Sequence, residues 1–468
     1  MRESYYNFDI IVNEVAEIIK CGYNTSMDIF DVENSVVSTE ALHDAVGFIS
    51  EFSVELQQYD NRITGSASET ACARAIRSRL ADETDATVRL EAYRSFPLLG
   101  RGSLPFFGLW YLLCYVLYFV SFAGNITAGI LLTVLALAVF AVGSGVMTAL
   151  YFNKKRFKKF LSQKVSYNVV SEFSKNTDKL KKERVFIIAD NHDATLGNFV
   201  TDYRIMSKIA HIFVPLTAAV FVLFCILKMA IGTDSEVKIT AFTVIPAVVG
   251  VLGVTVTLLR FSPFERHAKQ NNGVATSVAM ATYAYFAEQP DILPEDVRIV
   301  YASFGGENSA HGGSDAFVKS HPEFADAHVL CIGDIDSSEF KIAERNAIRR
   351  IEYSTPFVSA IRSSAHEQKI DISALPTDTV SQKLASIHGY MSDAFAQNGN
   401  PTATIVADEH RSSERVLEIN DLEKLFSVTV GTFIKLMGDT STPAEEEHKE
   451  QPKTPSSAEM EIHAVVGK

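Results

Sequence analysis

The chain has 468 residues, 21% of them charged, and a formal net charge of −13. The length admits one large domain with additions or two to three ordinary ones. The acidic balance excludes nonspecific nucleic-acid binding, which needs a basic face. The five cysteines are odd in number and widely spaced, and two lie in apolar runs; this excludes a disulfide framework and suits a reducing compartment.

In chain order, residues 1–60 are predicted to be an N-terminal helical segment, because Ile10-Ile11-Val12, Val15-Ala16 and Ile18-Ile19 recur near helical spacing. Ser66 with Glu69 reads as a capping box that opens a helix to about Leu80. Residues 87–91 alternate as a strand. Two uncharged apolar runs follow, at 104–122 and 126–152, and a second pair lies at 209–227 and 239–259. Each is near the ~20 residues that cross a hydrocarbon core. Buried core helices are the competing reading, but four such runs in two close pairs are hard to place in one core. We therefore expect two transmembrane hairpins and a lipid-bilayer partner. Lys154, Lys155, Arg156, Lys158 and Lys159 follow the second run, Arg204 and Lys208 precede the third, and Arg260 and Arg266 follow the fourth. The positive-inside rule then places the soluble parts and both termini in the cytoplasm, at the plasma membrane of a prokaryote.

Between the hairpins, Tyr167-Asn168-Val169-Val170-Ser171-Glu172 and Val185-Phe186-Ile187-Ile188-Ala189 read as strands, the second ending in Asp190-Asn191-His192-Asp193. After the second hairpin come a helix at 273–288, a strand at 297–304, a short helix at 313–320 and a strand at 329–332 ending at Asp334. A helix at 392–399, a strand at 403–406 and a closing helix at 420–437 complete the pattern. Apolar strands alternating with helices predict an α/β fold, a mixed, mostly parallel sheet with helices on both faces. The expected units are 1–60, 61–103, 104–152 (first hairpin), 153–208, 209–259 (second hairpin), 260–437, and a tail at 438–468 rich in Pro, Ser, Thr and Glu and expected to be disordered.

Several short patterns occur in a telling order: Arg62-x-x-Gly65-Ser66-x-x-Glu69, Asn168-Val169-Val170, the apolar strand before Asn191, Gly273-Val274-Ala275, and Phe304-Gly305-Gly306-Glu307-Asn308 through Ser314. Together they resemble the di-zinc exopeptidase family of aminopeptidase S, glutamate carboxypeptidase and glutaminyl cyclase. The resemblance covers 62–93 and 165–437, with the hairpins as insertions. It implies a zinc exopeptidase-like fold and zinc as the cofactor. By this resemblance Glu307 falls at the general-base position and Asp334 at a metal-ligand position. Asn191 and Asn308 stand where the family has His and Glu ligands. Asp193 stands where an Asp orients the first His, and His192 is one place off. The bridging Asp would fall in Lys269-Gln270-Asn271-Asn272, which has no carboxylate, and the last His position holds Ala394, after Ser392-Asp393.

A neutral amide oxygen is a poorer ligand for a dication than a carboxylate, and two close dications need anionic ligands to offset their repulsion. The expectation is therefore no ion or one weakly bound zinc, for which His192, Asp334 and His388 or His311 would regroup. Two functions remain open. One is a catalytically degenerate protein that binds or scaffolds a peptide or protein partner, as some members of that family do. The other is an active membrane-bound zinc aminopeptidase or carboxypeptidase with rearranged ligands and Glu307 as base. Transport through the spans ranks last, because few polar groups lie inside them. Oligomeric state is not legible. Because the second hairpin leaves after Asp193 and returns before Gly273, the pocket edge is expected to face the inner membrane surface.

Overall fold

The computed structural model describes residues 37–59, 61–96, 103–123, 125–152, 163–176, 183–197, 204–231, 236–260, 267–269, 272–307, 312–333, 335, 338–346, 350–375, 390–407 and 417–438. Its helices are α1 (Thr39–Gln57), α2 (Ala67–Glu83), α3 (Ser103–Val120), α4 (Ile126–Phe152), α5 (Arg204–Ile231), α6 (Glu236–Arg260), α7 (Asn272–Glu288), α8 (Gly312–Ser320), α9 (Thr355–Glu367), α10 (Ser392–Gln397) and α11 (Ile419–Gly438). Its strands are β1 (Val88–Ser95), β2 (Lys164–Ser174), β3 (Arg184–Asn191), β4 (Thr195–Gly197), β5 (His267–Lys269), β6 (Val297–Phe304), β7 (His328–Ile332), β8 (Phe340–Ala343), β9 (Arg345–Asn346), β10 (Ile351–Glu352), β11 (Ser373–Ala374) and β12 (Thr402–Ala407). The periodic pattern at 10–19 and the tail from 439 lie outside the described residues.

Eight strands form one mixed sheet in the order β1-β2-β6-β3-β7-β12-β8-β11. It is parallel from β6 through β3 and β7 to β12 and antiparallel at β1-β2, β2-β6 and β12-β8. The apolar runs form central strands because both faces of a mostly parallel sheet are covered. Alternation along each strand separates two cores. Phe186, Ile188, Ile299, Tyr301 and Leu330 pack with α1, α2, α7, α9 and α11. Ile187, Ala189, Val300, Ala302 and Cys331 face Phe317 of α8, Phe324 and Phe395 of α10. The fold is therefore α/β with helices on both faces.

Helices α3 to α6 make a second packing group, with α3 on α4 and α6, and α5 on α4 and α6. Within it, two segments, Ile126–Val146 and Lys238–Val256, are long and apolar enough to cross a membrane; Gly108–Val120 and Pro215–Ile231 are shorter apolar stretches. The interior of this group holds Tyr111, Tyr115, Tyr118, Phe221 and Cys225. The Tyr118 hydroxyl donates to Phe242 O at 2.8 Å and the Trp110 indole to Val139 O at 2.8 Å. Lys228 bonds Ser121 and sits 3.5 Å from the Phe122 ring. Large apolar side chains cover the outside. Among the described residues, every exposed large apolar side chain lies on these four helices except Val54, Ile63 and Val165.

The connections to the sheet are antiparallel ribbons. The α3–α4 hairpin replaces the turn of β1-β2, whose pairing runs out at Ser95 opposite Lys164. The α5–α6 hairpin replaces the turn of β4-β5, which pairs Thr195 with Lys269 and Gly197 with His267.

Candidate functional site

The candidate site is built where β3 and β6 end side by side, Asn191 opposite Phe304. The His192 amide continues the pairing by donating to Phe304 O at 3.0 Å. Two residues further, the Ala194 amide donates to Arg62 O at 2.9 Å, which fixes the segment before α2 against this edge.

Beneath the edge lies a fully buried polar layer. The hydroxyls of Ser303 and Thr276 donate to Asp190 Oδ1 at 2.6 and 2.9 Å. Ser303 Oγ also lies 3.0 Å from His192 Nδ1. Since the Ser303 proton goes to Asp190, Nδ1 must carry the proton that bonds Ser303, leaving Nε2 as a lone pair. Among the described residues neither Nε2 nor Arg62 Nε has a hydrogen-bond partner. Burial, with the Arg62 guanidinium adding to it, holds His192 down at about 3, so the ring is neutral. Burial pushes Asp190 up to about 6, against the Ser303, Thr276 and Tyr301 hydroxyls and the Arg62 charge. His192, one place off the expected ligand position, lies just after β3 and is wholly enclosed.

The next layer is made of amides. Asn191 Nδ2 donates to Asp193 O and Oδ1, both at 3.3 Å. Asn272 Nδ2 donates to Asn191 O at 3.1 Å and also to Asp193 O. Thr64 Oγ1 donates to Asp193 Oδ2 at 3.3 Å.

Above it, Glu69 departs from the capping box expected of it. Ser66 Oγ does cap α2 by accepting the Glu69 amide at 3.0 Å. The Glu69 carboxylate does not return to the Ser66 amide. It accepts from the Gly306 amide at 2.9 Å, from Ser166 Oγ at 2.7 Å and from the Gly65 amide. It is a long-range pin that joins α2, β2 and the loop after β6. Burial first, then the Asp193 charge, raises Glu69 to about 8 in spite of these three donors. The loop can approach only because it is glycine. A Cβ on Gly305 would lie 2.5 Å from Ser166 Oγ, and Gly306, at φ +62, would meet the Tyr93 hydroxyl at 2.2 Å. That hydroxyl donates to Gly305 O at 2.6 Å.

Glu307 accepts from the Ser314 amide at 2.6 Å and the Ser314 hydroxyl at 3.0 Å, tying its carboxylate to the first turn of α8. Asp393 is buried and accepts from Tyr353 Oη at 2.6 Å and Asn346 Nδ2 at 2.8 Å. Ala394, after it, presents a methyl group.

The structure thus brings Asn191, His192, Asp193 and Glu307 to one edge. Asn308 and Asp334, and with them His311 and His388, lie outside the described residues. Sequence reasoning missed Arg62, Glu69, Asp190, Thr276 and Ser303 as parts of the network. Arg62 and Glu69 were visible as two charges in one short motif; nothing marked Thr276 or Ser303.

These residues do not fit a zinc pair. The amides at 191 and 272 turn their N–H groups, not oxygens, toward carbonyls and a carboxylate. The Glu307 oxygens are engaged by Ser314. The Arg62 guanidinium acts on His192 as a positive charge, which opposes a cation at that imidazole. Among the described residues no group of three His, Cys, Asp or Glu converges as a metal site requires.

No protein-family model matches the chain, and no curated protein matches it. Among solved structures it is similar to the glutaminyl cyclase of Fimbriiglobus ruber, at 10% identity, covering 87% of this chain and 97% of that one, with a TM-score of 0.43. It is similar to a zinc aminopeptidase from Bacillus subtilis, at 12% identity, covering 87% and 96%, TM-score 0.43. A Zn-dependent exopeptidase from Parabacteroides distasonis, at 9% identity, covers 85% and 98%, TM-score 0.42. Similarity this loose says nothing of chemistry, which rests on the contacts above.

Proposed function

We propose that this chain is a multi-pass membrane protein whose sheet unit keeps a zinc-exopeptidase-like framework and binds a peptide or protein partner at the ends of β3 and β6 without hydrolysing it. One observation carries the proposal. At the described ligand position, Asn191 presents an amide whose N–H donates to Asp193, Asn272 beside it donates to Asn191 O, and the carboxylate at the base position is held by Ser314. Hydrolysis of a peptide bond needs a polarised carbonyl and a base free to take a proton from water. Among the described residues neither is supplied.

The membrane reading is supported by the outward apolar surface of α3 to α6. A core helix of a soluble protein buries that surface, whereas Leu131 and Val251 are each 65% exposed. The basic residues flanking the hairpins support a cytoplasmic sheet unit at a prokaryotic plasma membrane. The net charge of −13 supports no nucleic-acid partner.

The test is turnover. Purified chain, with and without added zinc, is offered aminoacyl and peptidyl chromogenic substrates. The proposal expects no product above that of the Glu307→Gln variant. Product formation abolished by Glu307→Gln would establish the active-exopeptidase reading instead.

A further inference from the structure

The strand registers locate both membrane hairpins on the sheet. β2 is antiparallel to β6, with Val169 opposite Ser303. The start of β2, Lys164 opposite Ser95, therefore lies at the edge where β6 ends and Glu307 follows. β3 ends at the same edge, and the β4-β5 ribbon begins four residues after Asn191. Both hairpins leave from the edge that carries the site. The opposite edge, with Asp296 before β6 and Arg184 opening β3, carries no connection to the apolar helices.

Two further features belong to that edge. The Lys164 side chain lies over Gly65, where a Cβ would come within 2.5 Å of Lys164 Cβ, so residues 62–66 sit beside the start of β2. Of the three exposed large apolar side chains outside the four helices, Ile63 and Val165 are both here. Chain length limits the separation. Gly197 to Arg204 and Arg260 to His267 are seven-residue steps, and seven residues span at most about 25 Å.

We propose that this sheet edge is the surface by which the sheet unit meets the bilayer, so that the site opens onto the membrane surface and is filled from the layer next to it. The proposal rests on the membrane reading of α3 to α6. Taken with the proposed function, the occupant is a polypeptide segment held at the membrane. Ile63 and Val165 would rest at the headgroup boundary, where exposed apolar groups are tolerated.

Energy transfer from the full chain to the bilayer tests it. The chain is reconstituted in vesicles of phosphatidylcholine and phosphatidylglycerol that carry a headgroup acceptor. A donor dye is placed by Val165→Cys or by Asp296→Cys, each with Cys21→Ser; Cys72, Cys114, Cys225 and Cys331 are buried. An eight-residue strand such as β6 is roughly 25 Å long, so transfer from position 165 should exceed that from position 296 by at least about twofold. Equal transfer, or more from 296, in protein that floats with the vesicles would overturn the proposal. Protein that does not float would overturn the membrane reading, and the proposal with it.

Discussion

The sheet unit and the four-helix group bury opposite things. In the sheet unit Phe186, Ile188 and Phe286 are enclosed, the layer around Asp190 and His192 is a buried polar exception, and ion pairs such as Arg184–Asp296 and Arg362–Glu344 lie on the outside. In the helix group Tyr118, Thr133 and Thr217 are enclosed, while Leu131, Val248 and Val251 face out. Both pack tightly, so the difference lies in the medium each surface suits. Water suits the first; the second is the surface that the proposed membrane reading requires, since in hydrocarbon helix association relies on packing and internal hydrogen bonds.

The largest effect expected from this contrast is in the sheet core. Phe286→Ala should cost about 3–5 kcal/mol by denaturant unfolding. Val251→Ala should cost under about 0.5 kcal/mol, as surface truncations do. A comparable cost at 251 would mean that this face packs on protein. Next, Val248→Lys, near the middle of α6, should oppose insertion by about 3 kcal/mol. Carbonate extraction would read this as a larger soluble fraction, and an unchanged fraction would break the contrast.

A smaller effect sharpens the polar layer. Ser303→Ala removes a donor from Asp190 and the partner of His192 Nδ1, whereas Thr276→Val removes only a donor from Asp190. The first should cost about 2 kcal/mol and the second about 1 kcal/mol. Equal costs would mean that His192 is not held through Ser303.

The smallest effect is a pH dependence. Glu69 titrates at about 8 in the folded chain against 4.5 as an ordinary glutamate. The folded state therefore holds the extra proton between those values, and stability declines as pH rises toward 8, then levels. His192 and Asp190, at about 3 and about 6 in the folded chain, are largely deprotonated by pH 7 and add little to the slope above it. Between pH 7 and 8 the loss should be on the order of 1 kcal/mol, and Glu69→Gln should remove it. A slope that persists in Glu69→Gln would assign the titration elsewhere.

How much of this was legible follows from the kind of signal each part gives. β3 and β6 were legible because strands covered on both faces are apolar throughout. The helices α3 to α6 were legible because they lack charge over long runs. The β4-β5 ribbon was not, because Thr-Leu-Gly and His-Ala-Lys are too short to show a period. Nor were β8 and β11, whose pairing is set by neighbours distant in sequence. Glu69 was read as a cap because Ser66 is three residues away; its other partners, Ser166 and Gly306, come near only once β2 and β6 pair. That an amide at 191 and a methyl group at 394 stand at ligand positions is an expectation from resemblance alone, while the use of Asn191 and Asn272 as donors to Asp193 and the backbone needed the fold.

The central claim is that the ends of β3 and β6 no longer hold metal ions. Zinc content of the full chain, purified in detergent without chelator, tests it most directly. The account predicts well below about 0.1 zinc per chain, since a true zinc site binds tightly enough to survive purification. One or two zinc ions per chain, lost on His192→Ala, would contradict it.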